Sequence, residues 1–276
     1  MIRLLKFFGW SIVAVFCGLL LGLSGAFLYL SPGLPSVEAL RSIQLQIPLK
    51  VYSSDGKLIA EFGEMRRSPI KFADIPPNFI NALLSAEDDN FANHYGVDPS
   101  SLMRAATQLV KSGHIQSGGS TITMQVAKNF FLTSERSFSR KINEILLALQ
   151  IERELSKDEI LALYLNKSFF GNRSYGVAAA AEYYYGKTLD QLNLDEAATL
   201  AGIPKFPSSG NPISNPDRAR IRRDNYILPR MAELGFASRV EVDAARQVPM
   251  HAAPHERQIE VYAPYVAEMV RQQMVE

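Results

Sequence analysis

The sequence predicts a mainly α-helical domain that carries one small β-hairpin and is preceded by a single transmembrane helix. Three observations predict it. Residues 7–30 contain no charged side chain. Apolar residues flank a Ser54-Asp55-Gly56 turn on both sides, at Leu49, Val51 and Tyr52 and then at Leu58, Ile59 and Phe62. Beyond Pro77 nearly every boundary signal belongs to a helix.

Taken in order, the first element is the uncharged segment. At about 1.5 Å per helical residue it crosses a hydrocarbon core of ~30 Å with some tilt. Arg3 and Lys6 precede it and the next charge is Glu38. The excess of basic residues before the segment therefore places the N-terminus in the cytoplasm and the rest of the chain across the membrane. A cleaved signal peptide has an apolar region of roughly 7–15 residues. This one is longer, so a retained anchor is expected over residues 1–30. Ser31-Pro32-Gly33-Leu34-Pro35 breaks the helix and opens a linker over residues 31–48. Residues 49–247 form the main domain and residues 248–276 a trailing segment.

Composition narrows the function. Hydrophobic residues make up 47% of the chain, which excludes disorder. Lys plus Arg number 29 against 28 Asp plus Glu, a net charge of +1 that argues against nucleic acid as a partner. The single cysteine, Cys17, lies in the anchor, so no intrachain disulfide is possible and the exported domain must rely on its core.

Within the main domain, the hairpin comes first, over residues 49–64. Ser156-x-x-Glu159 and Ser238-x-x-Glu241 read as capping boxes. Asn215-Pro216 reads as an N-cap with Pro at the first helical position, and Gly235 as the stop of that helix. Gly202-Ile203-Pro204 ends another. The helix that starts at Pro76-Pro77 carries an apolar stripe at Ile80, Leu83, Leu84 and Phe91, and Glu87 falls on the same stripe.

Three blocks carry the chemistry. In the first, a carboxylate at Glu87 on an apolar face is desolvated, as a general base requires. The alternative is a buried glutamate satisfied by an arginine or a backbone group, and this helix alone favours that alternative. His94 is either a partner in catalysis or a hydrogen-bonded histidine that closes the helix. The second block, Gly118-Gly119-Ser120-Thr121-Ile122-Thr123-Met124-Gln125-Val126-Ala127-Lys128-Asn129, offers backbone N–H groups, hydroxyls and a lysine able to hold an anionic diphosphate. The apolar residues that follow, Phe130, Phe131 and Leu132, are either core or a surface dipping into the lipid interface, and the interface is the reading preferred here. In the third block Arg140, Lys141 and Glu144 stand within one turn of each other, with Arg136 upstream. A surface ion pair is the bland explanation. Yet cations near a helix start oppose the macrodipole, which points to an anion nearby.

These blocks, Glu87-Asp88-x-x-Phe91-x-x-His94-x-Gly96, Gly118 to Gln125 and Arg140-Lys141-x-x-Glu144, resemble the signature motifs of the peptidoglycan glycosyltransferase domain of class A penicillin-binding proteins. Asn166 with Gly171, Tyr175-Gly176, Ala179-Ala180 and Tyr185-Gly186-Lys187 resemble a fourth motif of that family. Glu196, Ala201-Gly202, Pro204, Pro207 and Asn211-Pro212 resemble a fifth. The resemblance covers essentially the whole chain. The family usually has Gln at the position of Met124 and Glu at the position of Ala162. Tyr262 through Met274 resemble the link to a transpeptidase domain, so the sequence is expected to be either a truncated piece or a single-activity enzyme.

The resemblance implies a lysozyme-like fold and a processive polymerase of lipid II, anchored in the cytoplasmic (inner) membrane with its catalytic domain in the periplasm. Lipid II, the growing glycan strand, the membrane and other cell-wall synthesis proteins are the implied partners. Glu87 is then the base that takes the proton of the acceptor 4-hydroxyl. Glu144 positions the diphosphate, directly or through a divalent cation (Mg or Mn). Substrate contacts are implied for Asp88, Phe91, His94, Gly119, Ser120, Thr121, Gln125, Lys128, Asn129, Arg136, Arg140, Lys141, Asn166 and Tyr175. The residues support this chemistry in their own right. A glycosidase needs two facing carboxylates, whereas a diphosphate leaving group needs cations. A lytic enzyme and a non-catalytic membrane scaffold are the alternatives. Loss of Glu87 or Glu144 would mark the scaffold, and both are present.

Overall fold

The computed structural model describes residues 34–112, 119–132, 138–256 and 258–275, with isolated residues between 7 and 25 before them. The expected anchor lies largely outside the described residues. Among those described, no helix is long and apolar enough to cross a membrane. The described chain is mainly helical with a small antiparallel hairpin, as the sequence predicts.

Strands β1 (Leu49–Tyr52) and β2 (Leu58–Phe62) pair antiparallel, and Gly56 supplies the positive φ of 82° that their turn needs. β3 (Arg66–Arg67) pairs in parallel with β4 (Ser174–Tyr175). The helices in chain order are α1 (Pro77–Glu87), α2 (Pro99–Ser112), α3 (Ile122–Phe131), α4 (Phe138–Glu154), α5 (Lys157–Lys167), α6 (Val177–Tyr185), α7 (Leu194–Gly202), α8 (Pro216–Arg222), α9 (Leu228–Glu233), α10 (Arg239–Gln247) and α11 (Pro264–Val275). A single π turn, Arg223–Ile227, joins α8 to α9 without breaking the helical run. The capping boxes at Ser156 and Ser238 form, and Asn215 caps α8 through Arg218 N.

One core unites α1, α3, α4, α5, α6 and α7 through Phe79, Leu83, Ile122, Val126, Leu147, Ile151, Ile160, Leu165, Tyr184 and Leu200. Met124, one of the two departures from the family pattern, is fully buried and so serves packing. The hairpin is not part of this core. Val51 and Ile59 pack instead with Ala267 and Val270 of α11. Backbone bonds from Glu260 N and Val261 N to Leu58 O tie the two ends of the chain together.

The first-block helix ends earlier than its apolar stripe suggests. α1 stops at Glu87, and Phe91 reaches the core from a turn. Its buried face is Phe79, Ala82, Leu83 and Ala86, with Ile80 and Leu84 only half-buried. At Asp88 the backbone leaves the helical region, with φ −162° and ψ 80°, and the carboxylate accepts from Ile122 N at 2.9 Å and His94 Nε2 at 3.0 Å.

Away from α1, the buried Glu196 fastens the segment after α10. It accepts from Lys187 Nζ at 2.7 Å, His251 Nε2 at 2.8 Å and Asn193 N at 2.9 Å. Burial opposes the charge of Glu196, but the bonds from Lys187 and His251 outweigh it and hold the carboxyl below its ordinary value. The bond to Glu196 in turn raises His251 above its ordinary 6.5, against partial burial, with help from the Pro249 carbonyl and from Asp195 3.9 Å away. A histidine raised in the folded state adds stability that is complete below the unfolded value and is lost as pH rises through the folded one. Urea midpoints are therefore expected to fall as pH rises above the ordinary 6.5 and through the raised folded value, and His251→Gln to flatten that slope. Equal slopes for both proteins would remove His251 from the latch.

Candidate active site

α1, α3, α4, α8 and the turn after α7 surround a cleft of about 700 Å³. Glu87 enters from the last residue of α1, and its side chain is only 7% exposed. One carboxylate oxygen accepts from Gln125 Nε2 of α3 at 3.0 Å. The other accepts from Arg222 Nη2 of α8 at 3.1 Å.

The wall beyond Gln125 is built by α3 and α4. Ser120 precedes the N-cap Thr121 and accepts from Lys141 Nζ at 2.7 Å. Lys141 Nζ also donates to Glu144 Oε1 at 2.7 Å, while Arg140 Nη1 lies 3.5 Å from Glu144 Oε2. Glu144 is thus buried with a cation at each oxygen. This offsets the unfavourable placement of two cations in the first turn of α4. Lys128 stands exposed in the lining, its ammonium paired with no described residue. The opposite wall carries Lys205, Arg218, Arg222, Asn225 and Tyr226. In all, seven Lys and Arg side chains line the cleft against four Asp and Glu, and Asp89, one of the four, is itself paired with Arg230.

Other residues singled out in the sequence hold this arrangement from outside the cleft. Phe91 is buried, with the His94 ring edge-on at 5.9 Å and Lys157 Nζ 4.3 Å above it. His94 is buried against Asp88. Asp88 touches the cleft but spends its carboxylate on His94 and on the first turn of α3. Thr121 caps α3 by accepting from Met124 N at 3.1 Å and donates to Gly96 O at 2.6 Å. Gly96 has a φ of +83°, and a Cβ there would lie 2.6 Å from Ala148 O, so only glycine brings the end of the first block onto α4. Asn166 exchanges bonds of 2.8 Å with Ile70 N and Ile70 O, and Tyr175 lies against Phe169 and Arg67. Gly119 and Asn129 are half-buried beside the lining. Phe130 and Phe131, for which the lipid interface is expected, are half-buried and pack on the main core. Gly118 and Arg136 lie outside the described residues.

The sequence reading missed Arg104, Lys205, Arg218 and Arg222. Arg218 and Arg222 stand four apart after the Asn215-Pro216 helix start, a spacing that puts both on one helix face. That pattern was available as a signal. As for a resident metal, no group of three His, Cys, Asp or Glu side chains converges among the described residues. Glu144 already gives each oxygen to a cation, and this donor set does not fit a divalent ion.

Residues 55–232 match the transglycosylase family model, and the chain belongs to that family. Penicillin-binding protein 1A of Pseudomonas aeruginosa is 68% identical over 273 residues, 99% of this chain and 33% of the relative. Penicillin-binding protein 1A of Escherichia coli (strain K12) is 47% identical over 273 residues, 98% of this chain and 32% of the relative. The chain thus spans about a third of the length of the curated relatives it matches. A crystal structure of penicillin-binding protein 1A from Haemophilus influenzae is 36% identical, with a TM-score of 0.46 over 84% of this chain and 25% of that one.

Proposed function

We propose that this chain is a peptidoglycan glycosyltransferase that polymerises lipid II. The observation that carries the reading is the inventory of the cleft: seven Lys and Arg side chains line it against the four carboxylates Glu87, Asp88, Asp89 and Glu144. Retaining and inverting glycosidases need a second carboxyl free to act as acid, nucleophile or base. Here Glu144 is engaged by Arg140 and Lys141, and Asp89 by Arg230. In the proposed reaction Glu87 takes the proton of the acceptor 4-hydroxyl. The freed oxygen attacks the anomeric carbon of the growing strand with inversion. The carbon–oxygen bond to the undecaprenyl diphosphate breaks, and its electron pair leaves with the diphosphate, whose charge Lys128, Arg140 and Lys141 stabilise. A lysozyme-like fold and an N-terminal anchor in the inner membrane, with the domain on the periplasmic side, belong to the same reading. What supports the anchor is the uncharged segment over residues 7–30 and a substrate whose lipid stays in the bilayer.

Incubation of the chain with lipid II in detergent or vesicles tests the proposal. Glycan polymer on a gel is expected. Release of soluble fragments from finished sacculi, with no polymer from lipid II, would establish the lytic alternative instead. In the same assay Glu144→Gln is expected to lower turnover on the order of 10²-fold, because Arg140 and Lys141 lose the charge that aims them. The defect is expected not to respond to added divalent cations. A loss of activity that merely tracks a lower melting temperature would reduce Glu144 to a structural ion pair.

A further inference from the structure

We infer that Arg222 is a positioning residue for the base. The inference rests on the proposed role of Glu87 and adds to it the group that aims the carboxylate. Arg222 is anchored before any substrate arrives. Its Nε donates to Gly202 O at 3.0 Å, and its Nη2 donates to Ala86 O at 3.1 Å as well as to Glu87 Oε1 at 3.1 Å. The two carbonyls lie at the C-terminal ends of α7 and α1, where the macrodipole favours a cation. The guanidinium is a rigid fork, so fixing two of its bonds on the backbone fixes the direction of the third. With Gln125 on the other oxygen, the carboxylate of Glu87 is held from both sides.

The stem of Arg222 passes the end of α7 at van der Waals distance. A Cβ at Gly202 would lie 3.4 Å from Arg222 Cδ, and the side chain it would crowd is Ile227, whose Cδ1 would be 3.0 Å away. The π turn begins at the next residue, Arg223. Successive side chains on a helix diverge by about 100°, and Arg223 is buried against Asp224 and the Val248 carbonyl. Adjacent arginines are thereby divided between the cleft and the interior. The side chain of Arg222 is only 17% exposed. It contrasts with the exposed Lys128, which no described residue holds.

The test uses the full chain polymerising lipid II, with Arg222→Ala and Arg222→Lys measured beside Glu87→Gln. Misplacing a reacting group by about 1 Å costs roughly 10²-fold in rate. A fall of that size in kcat, with KM little changed, is expected for Arg222→Ala. Guanidinium ion, added below the concentration that unfolds the protein, is expected to restore much of that kcat by filling the vacated fork. Arg222→Lys keeps the charge and so protects the fold, but it cannot span the three acceptors. It is expected to stay impaired with or without guanidinium. Wild-type kcat in both variants, a defect confined to KM, or a loss that follows the melting temperature and resists rescue would each overturn the inference. Polymerisation retained by Glu87→Gln would instead sink the base assignment itself, whatever Arg222 does.

Discussion

Glu87→Gln is expected to abolish polymerisation while the protein stays folded. The amide matches the carboxylate in shape and retains one oxygen for Arg222 or Gln125, so the packing at the end of α1 survives. It cannot accept the proton of the acceptor hydroxyl. General bases contribute about 10²–10⁴-fold, and the loss should fall in that range or beyond. The measurement is polymer formed per unit time, read beside a melting curve. A variant that keeps more than about a tenth of the wild-type rate cannot be missing its base, and the proton would have to go elsewhere.

Glu87 could be singled out from the chain as a candidate, and it lines the cleft, but its surroundings could not be read. Helical periodicity put it on the stripe with Ile80, Leu83 and Leu84, and the residue does sit at the edge of a buried face. Periodicity has no term for where a helix stops. The chain leaves α1 at Asp88, whose carboxylate is taken by His94 and by Ile122, 34 residues away, and no local pattern records such a partner. The arginine that satisfies Glu87 comes from 135 residues downstream. The bland reading, a buried glutamate held by an arginine, and the functional one therefore describe the same side chain. The Ser156 and Ser238 boxes and the Asn215 cap were legible because each depends on residues within three positions, and the hairpin because its two strands are consecutive and flank one short turn. The motifs were less informative about location. Lys128, Arg140, Lys141 and Gln125 line the cleft and Phe91 and His94 are buried beside Asp88 at its edge, whereas Asn166 and Tyr175 bond and pack elsewhere, against Ile70 and Arg67. A motif marks what a family retains, and both the wall of a cleft and its support are retained.

The support makes the remaining prediction. Asp88→Ala is expected to be among the most destabilising single substitutions near the cleft. The carboxylate has a side-chain exposure of 4% and accepts from His94 Nε2 at 3.0 Å and from the first-turn amide of α3, Ile122 N, at 2.9 Å. Truncation strands two buried donors at about 1–3 kcal/mol each. It also removes a carboxylate from the N-terminus of α3, where its charge is favoured. For a domain of this size each kcal/mol lowers Tm by roughly 2–4 °C, so a drop of about 5–20 °C is expected. Activity should fall even below the melting transition, because Asp88 is what sets Gln125 on α3 opposite Glu87 on α1. Asp88→Asn gives a graded check. Its single carbonyl oxygen can serve Ile122 N or His94 but cannot reproduce both bonds, so its melting temperature should lie between those of wild type and the alanine variant. If the alanine variant melts with the wild type, the two blocks are held in register by something other than this carboxylate. The other ties between them are the Thr121 bond to Gly96 O and the Gln125 bond to Glu87.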